Sequence, residues 1–311
     1  MSKSNKILIT GGTGFLGRVV VRLMKKKGYN NLIIFSSKDY DLTKESYVKK
    51  LFNDHADIDI VVNLAGNIGG IGYNLRNPGS LFYNNIMMNT LMQEYSRINN
   101  VKKFVGIGTV CSYPNFSPSP FKEEDLWNGY PEETNAAYGL SKKMMLVQSQ
   151  AYRQEYNFNG IHLLMISLYG PEDNFDLENS CVIAALTRKF TEAKRRNEAD
   201  VILWGDGSPS REFLYVDDAA EAIILAMERY NSAEPVNIGS GQEITIKNLA
   251  ELIKKIVDFK GEIVWDKSKP NGQLQRSLDT KKAEKEFGFK AKTSLEEGLR
   301  KTIKWYQSVH K

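Results

Sequence analysis

The stretch "KILITGGTGFLG", Lys6 to Gly17, decides the fold. Its opening, Lys6–Thr10, is an apolar run that reads as a short buried strand, and glycines follow at 11, 14 and 17 in the spacing G-x-x-G-x-x-G. Glycines permit the tight turn and let backbone N–H groups approach a pyrophosphate at the N-terminus of the next helix. A bare triplet is weak evidence. Here it sits between a strand and a helical stretch, "RVVVRLMKKKG", which ends at Gly28 as a helix C-terminal glycine. In that context it predicts dinucleotide binding. A second strand, "NLIIFSS", completes a β-α-β unit of about thirty residues.

Further strands read as "DIDIVVNLAG", "KKFVGIGT" and "GIHLLMIS", with helical patterns between them at about 81–99 and 139–156. Alternating strand and helix implies a parallel sheet covered on both faces, an α/β doubly wound fold of the Rossmann type. After Gly170-Pro171 the alternation loosens. A polar loop leads to a helix at about 181–195, then "VILWGDG", "REFLYVDDAAEAIILAM" and "PVNIGSGQEITIKNLAELIKKIV". The expected division is a dinucleotide-binding domain over 1–168, with about 213–238 returning to it, and a smaller α/β substrate lobe over most of 169–311. No internal repeat or low-complexity linker interrupts the chain.

Composition narrows the function classes. The chain has 311 residues, 41% apolar and 25% charged, which suits a packed globular protein. A net charge of +5 is spread along helix-like segments with no compact basic stripe, so no nucleic-acid partner is expected, although the bias favours an anionic substrate. Two cysteines, Cys111 and Cys181, are too few for a disulfide scaffold or a metal cluster. No signal-like segment opens the sequence and no apolar run has the length of a membrane span, so a cytoplasmic protein with reduced thiols is expected.

The end of the second strand selects the cofactor. An acidic residue there would bind a ribose 2′-hydroxyl and favour NAD. Ser36, Ser37 and Lys38 stand there instead, and hydroxyls with a cation suit a 2′-phosphate, hence NADPH; the competing reading has Asp39 turn inward and serve NAD. In "YGLSK", Tyr138 and Lys142 lie one helical turn apart on one face. An ammonium near the phenol is expected to lower its pKa, and such a tyrosine can donate a proton to a carbonyl oxygen as hydride reaches the carbon. Thr109, ending the preceding strand, offers a third hydrogen bond to that oxygen.

With these residues in place, the chain resembles the extended short-chain dehydrogenase/reductase superfamily. Within it, "NLAGNIGGIGYN", "GTVCSYP", "ETNAAYGLSK", "LYGPEDNF", "VILWGDGSPSREFLYVDDAA" and "SKPNG" resemble the GDP-L-fucose synthase family from Lys6 to about Trp305. That resemblance implies a GDP-linked 4-keto sugar as substrate, epimerisation at C3 and C5, reduction at C4 with NADPH, a role in bacterial surface polysaccharide supply, and a homodimer formed through the helices at 81–99 and 139–156. It puts Thr109 (a serine in the family), Tyr138 and Lys142 in the reduction, Cys111 at the epimerisation cysteine, and Lys189, Trp204 and Arg211 on the substrate. Candidate cofactor contacts are Gly11, Thr13, Gly14, Phe15, Leu16, Gly17, Ser36, Ser37, Lys38, Asp41, Leu42, Leu64, Ala65, Gly66 and Lys142.

The chain departs from the family at a catalytic position. Where the family has a histidine in "NSH", this chain has "NSC" and Cys181. The three histidines offer no replacement: His162 lies near the start of a strand, away from the carboxyl end where ligands bind, and His55 and His310 read as surface residues. Ser167 replaces an asparagine, and "KPNGQLQR" replaces "KPDGTPRK". A neutral thiol lacks the accessible proton of an imidazolium, so the expectation is a C4-reductase of a GDP-linked deoxyhexose or heptose with epimerase activity lost or weak. A disulfide between Cys111 and Cys181 is not expected. The alternatives are a full 3,5-epimerase/4-reductase, a C4 epimerase that retains NAD, and a non-catalytic nucleotide-binding regulator.

Overall fold

The computed structural model describes residues 1–177, 179–269, 271 and 273–310. The first strand, β1 (Ile7–Thr10), is wholly buried, and its pleat explains why its apolar run is unbroken. Ile7 and Ile9 enter one core with Val19, Val20 and Met24 of helix α1 (Phe15–Lys26). Leu8 points the other way into a second core with Leu51, Met92, Phe104 and Met145. A strand covered on both faces has no solvent side on which to place polar residues. Helix α1 carries Lys25 and Lys26 in its last turn, where cations favour the helix dipole, and Gly28 follows at φ +88°.

The chain continues through β2 (Leu32–Ile34), α2 (Glu45–Asp54), β3 (Ile60–Asn63), α3 (Ile71–Arg76), α4 (Pro78–Ile98), β4 (Lys103–Thr109), α5 (Ala136–Tyr156) and β5 (Gly160–Met165). With β9 (Val236–Ile238), reached after β6 (Ser167–Tyr169), α6 (Val182–Arg195), β7 (Asp200–Trp204), β8 (Ser210–Tyr215) and α7 (Val216–Arg229), these strands form a six-stranded parallel sheet in the order β2-β1-β3-β4-β5-β9. Strand order reverses between β1 and β3, so a crevice opens beyond their carboxyl ends, the place where such sheets bind ligands.

The expected single strand "GIHLLMIS" is two strands in two sheets. The chain leaves the large sheet at Met165, and Ser167–Tyr169 joins a smaller sheet in the order β10-β8-β6. Ile166 at the crossing donates its N–H to Ile238 O at 3.0 Å. The sequence hides this break because β5 is wholly buried and apolar residues resume beyond Ser167 at Leu168 and Tyr169. The rest of the chain is β10 (Glu243–Thr245), α8 (Ile246–Val257), β11 (Glu262–Asp266), α9 (Lys281–Phe287) and α10 (Leu295–Val309). Strands β11 and β7 form a parallel pair. Tyr169, Phe190, Phe213, Leu249, Ile253 and Leu299 make the core of this lobe. Leu278, Ala283, Phe287 and Phe289 return to the core of the larger layer. Buried Glu212 on β8 ties the two together, accepting from Leu278 N at 2.7 Å and Gly241 N at 2.8 Å.

Candidate functional site

The glycine turn between β1 and α1 has the geometry of a phosphate cradle. Gly11 adopts φ +64°, which L-residues rarely take, and Gly14 N donates to Gly11 O at 3.0 Å. A Cβ at Gly17 would lie 2.0 Å from Gly11 O, so no side chain fits where α1 crosses the turn. Gly11 in turn abuts Leu64 and Ala65, the residues following β3. No side chain caps the start of α1, and the open N–H groups there suit a pyrophosphate. Thr13 is exposed at the tip, while Phe15 and Leu16 pack onto the core.

After β2, Asp39 accepts from Ser36 N at 2.8 Å and Ser36 Oγ at 2.7 Å, which directs its carboxylate back onto its own turn. Ser37 and Lys38 are exposed beside it. Asp41 closes the next turn by accepting from Thr43, and Leu42 packs into the second core.

Tyr138 and Lys142 sit one turn apart on α5, both buried. Lys142 Nζ donates to Ala65 O at 3.2 Å and lies against Gly66, so the lysine reaches the strand end that also borders the glycine turn. Burial pushes Lys142 down to about 8. The expectation that Lys142 lowers the tyrosine pKa is not met. Burial raises the phenol above its ordinary value, the sulfurs of Cys111 and Cys181 add to the rise, and a hydrogen bond with Thr109 opposes it. Desolvation of the phenol itself dominates, and the Lys142 ammonium is not among the groups that move it. Tyr138 therefore holds its proton firmly, the state a proton donor needs.

Cys111 is pinned beside this pair. Thr109 Oγ1 accepts from Cys111 N at 3.2 Å, fixing the turn that ends β4. Helix α5 approaches so closely that a Cβ at Gly139 would lie 2.1 Å from Cys111 O, and Ser112 Oγ donates to Gly139 O at 2.8 Å. The glycine of "YGLSK" thus serves the contact between the two catalytic candidates. Arg276 Nη1 donates to Cys111 Sγ at 3.6 Å. Arg276 was not singled out by sequence; the only signal was its place in the altered "KPNGQLQR" stretch. Within the neighbouring "SKPNG", Pro270 and Gly272 lie outside the described residues.

Arg211 is half-buried on β8, with Nη1 on Ser210 O at 2.7 Å. Burial, then the charge of Arg276, pushes it down to about 10. Burial acts to raise Glu132, but hydrogen bonds from Thr134 and Asn135 and the charge of Arg276 hold it below its ordinary value. Two guanidiniums, Glu132 and Cys111 therefore share one region. Cys181 is the N-cap residue of α6 rather than part of the helix, and it faces solvent. Desolvation, then the charges of Asp173 and Cys111, act to raise its thiol, though its exposure to solvent limits the first of these. Both cysteines are free.

The structure thus brings Thr109, Cys111, Tyr138, Cys181 and Arg211 together. Lys189 reaches from α6 to β7, which ends at Trp204, and among the described residues neither is hydrogen-bonded to that cluster. Lys189 Nζ donates to Ile202 O at 2.9 Å, and Trp204 is 61% exposed with the Lys269 ammonium 5.7 Å from its ring. Arg188, the competing cation, is bound to Glu192 and Phe175 O. His162 is buried under Lys142, and burial followed by that charge pushes it down to about 3. His55 is half-buried against Tyr40, and exposed His310 packs against Tyr306.

Comparison with known proteins identifies the family. Residues 7–239 match the model of the NAD dependent epimerase/dehydratase family. A probable GDP-L-fucose synthase 1 from Oryza sativa subsp. japonica is 40% identical over 305 residues, covering 98% of this chain and 92% of the relative. A GDP-6-OMe-4-keto-L-xylo-heptose reductase from C. jejuni superposes with a TM-score of 0.94 at 29% identity, covering 100% of this chain and 99% of that one. A GDP-mannoheptose C4 reductase from Campylobacter jejuni with NADP bound gives 0.91 at 30% identity, with 99% of each chain covered.

Proposed function

This chain belongs to the GDP-L-fucose synthase family of NAD-dependent epimerases and dehydratases, and on that premise we propose that it reduces the C4 ketone of a GDP-linked 4-keto sugar with NADPH. The observation that carries the reading is the placement of a proton-holding Tyr138 beside Thr109, one turn from a Lys142 that reaches Ala65 at the edge of the glycine turn. Bound NADPH would supply the hydride to C4. Tyr138 gives its proton to O4, Thr109 orients the carbonyl, and Lys142 holds a cofactor ribose through the face that now meets Ala65 O. Gly11, Gly14 and Gly17 with the α1 N-terminus hold the pyrophosphate, and Ser36, Ser37 and Lys38 receive the 2′-phosphate. Arg211 and Arg276 are the cations for the sugar diphosphate, because both are partly desolvated and carboxylates only partly balance them.

A neutral thiol at Cys181 lacks the readily available proton of an imidazolium. We therefore read reduction as the main activity, with epimerisation weak. A full epimerase/reductase remains the second reading, favoured by the retained Cys111 and by the naming of the Oryza sativa relative. The surface polysaccharide setting and a homodimer through α4 and α5 complete the proposal. Phe82, Tyr83, Met144, Val147 and Tyr156 are exposed apolar residues on those helices, a face suited to a second copy. No helix among the described residues is long and apolar enough to cross a membrane.

The test is NADPH consumption with GDP-4-keto-6-deoxyhexose and GDP-4-keto-heptose, with the product's C4 configuration read by NMR. Oxidation of NADPH that depends on the keto sugar supports the reading. Tight NADP binding with no turnover on either sugar would favour a non-catalytic nucleotide binder.

A further inference from the structure

The segment that carries Arg276 is held between two neighbours by its backbone. On one side it runs beside β8: Ser210 N donates to Leu274 O at 2.9 Å and Glu212 N to Arg276 O at 3.1 Å, with Arg211 between them. On the other it meets the loop that follows Cys111: Phe121 N donates to Ser277 O at 2.8 Å, and Asp279 N to Phe121 O at 2.9 Å. These bonds fix where Arg276 leaves the backbone. They do not fix where its long side chain points, because an untethered arginine has many rotamers.

Gln273 supplies that second constraint. Its Nε2 donates to Asn115 O at 2.9 Å, and its Oε1 accepts from Arg276 Nε at 3.0 Å. A carbonyl only accepts and the arginine Nε–H only donates, so the amide fits in one orientation. Asn115 is a firm anchor: its own N–H donates to Tyr130 O at 3.0 Å, and Pro114 beside it pairs with Pro131. With Nε engaged, the outer edge of the Arg276 guanidinium turns toward Cys111, where Nη1 meets Sγ at 3.6 Å. Among the described residues neither Arg276 nor Arg211 forms an ion pair with a carboxylate, which leaves donors of both open to a ligand. The bridging position is also one where this chain departs from the family pattern. Gln273 stands where "KPDGTPRK" has a threonine, whose one hydroxyl sits on Cβ, short of the amide's reach.

We propose that Gln273 is a positioning residue for the GDP sugar, aiming the Arg276 guanidinium so that it and Arg211 hold the substrate's diphosphate together. The proposal rests on reading this cleft as a GDP-sugar site. Gln273 acts through Arg276 and touches no reacting atom, so its contribution falls on binding and not on the chemical step. Without the bridge, the substrate itself must order the guanidinium as it binds, and the affinity drops by that ordering cost.

The test measures GDP-mannose binding by calorimetry, and KM and kcat for a GDP-4-keto-6-deoxy sugar with NADPH, in wild type, Gln273→Met, Arg276→Met and the double variant. Methionine matches glutamine in length and cannot bridge the two partners. We expect Gln273→Met to weaken GDP-mannose binding and raise KM about fivefold, the worth of one ordered side chain and its hydrogen bond. Its kcat and NADPH affinity should stay within about twofold of wild type, and the latter shows that the fold is intact. In the Arg276→Met background the same change should add nothing, because the residue it acts through is gone. An unchanged GDP-mannose affinity in Gln273→Met, or an equal loss with and without Arg276, would overturn the positioning role and leave the reductase reading standing. The expected pattern of GDP-mannose affinities in a protein that reduces no keto sugar would support the positioning role and overturn the reductase reading. A wild type that does not bind GDP-mannose would overturn both.

Discussion

The two halves of the cleft are built by opposite means. The cofactor half is made mostly of backbone: Gly11 in the left-handed region, Gly17 with no room for a Cβ, and Ala65 carbonyl meeting Lys142. Its glycine turn occupies a few consecutive residues. The sugar half is made of side chains from distant segments, with Arg276 and Cys111 meeting across 165 positions. Local geometry secures the first half, and long-range packing secures the second. The first can be broken by adding one atom; the second is broken by removing charges and protons.

Tyr138→Phe should show the largest effect, because it removes the proton donor where the two halves meet. Reduction should slow by about 10²–10⁴-fold, the range for a general acid, while NADPH affinity, measured by fluorescence titration, should shift only a few-fold. Near-normal turnover in this variant would mean that another group protonates O4 and that the buried, proton-holding phenol is structural.

Gly17→Ala sharpens the comparison by damaging one half alone. The new Cβ would overlap Gly11 O, and relieving such overpacking costs about 1–3 kcal/mol. If that cost falls on the cradle, NADPH should bind about ten- to a hundredfold more weakly, while calorimetry shows GDP-sugar binding intact. Arg276→Met is the converse. It removes the donor at Cys111 and a cation beside Arg211, and the loss of a charged hydrogen bond, about 1.5–3 kcal/mol, should raise KM for the GDP sugar at least tenfold with the NADPH constant unchanged. Equal effects of both variants on both ligands would show that the halves are one cooperative unit.

The same contrast explains what could be read from the sequence. Gly11, Gly14 and Gly17 lie within one turn, and Tyr138 and Lys142 are four residues apart, so local spacing reports local geometry. Ser36 and Asp39 were legible as a site, but not the hydrogen bonds that draw Asp39 back onto Ser36. Arg276 gave no signal beyond its place in the altered "KPNGQLQR" stretch, and its position depends on a segment returning to the main core. The break at Ile166 was hidden because apolar residues stand on both sides of it, in β5 and at Leu168 and Tyr169. Spacing places Tyr138 and Lys142 on one helix face but does not report the burial of the phenol, which raises it.

The smallest effect tests the floor beneath both halves. His162 lies under Lys142 with its Nε2 where a Cβ at Gly108 would collide, and neither ring nitrogen has a partner among the described residues. Burial lowers its pKa from 6.5 to about 3. Between those values the unfolded chain binds a proton that the folded protein refuses, so stability is complete above about pH 6.5 and declines as pH falls toward 3. At pH 6 the loss should be about 1 kcal/mol. His162→Leu, of similar size and without polar atoms, should melt at or above the wild-type temperature at pH 7.5 and gain a further margin of about that size at pH 6. A wild type that loses no more stability on acidification than the leucine variant would mean that His162 is solvated or hydrogen-bonded, and that the sheet beneath Lys142 is less tightly closed than its packing implies.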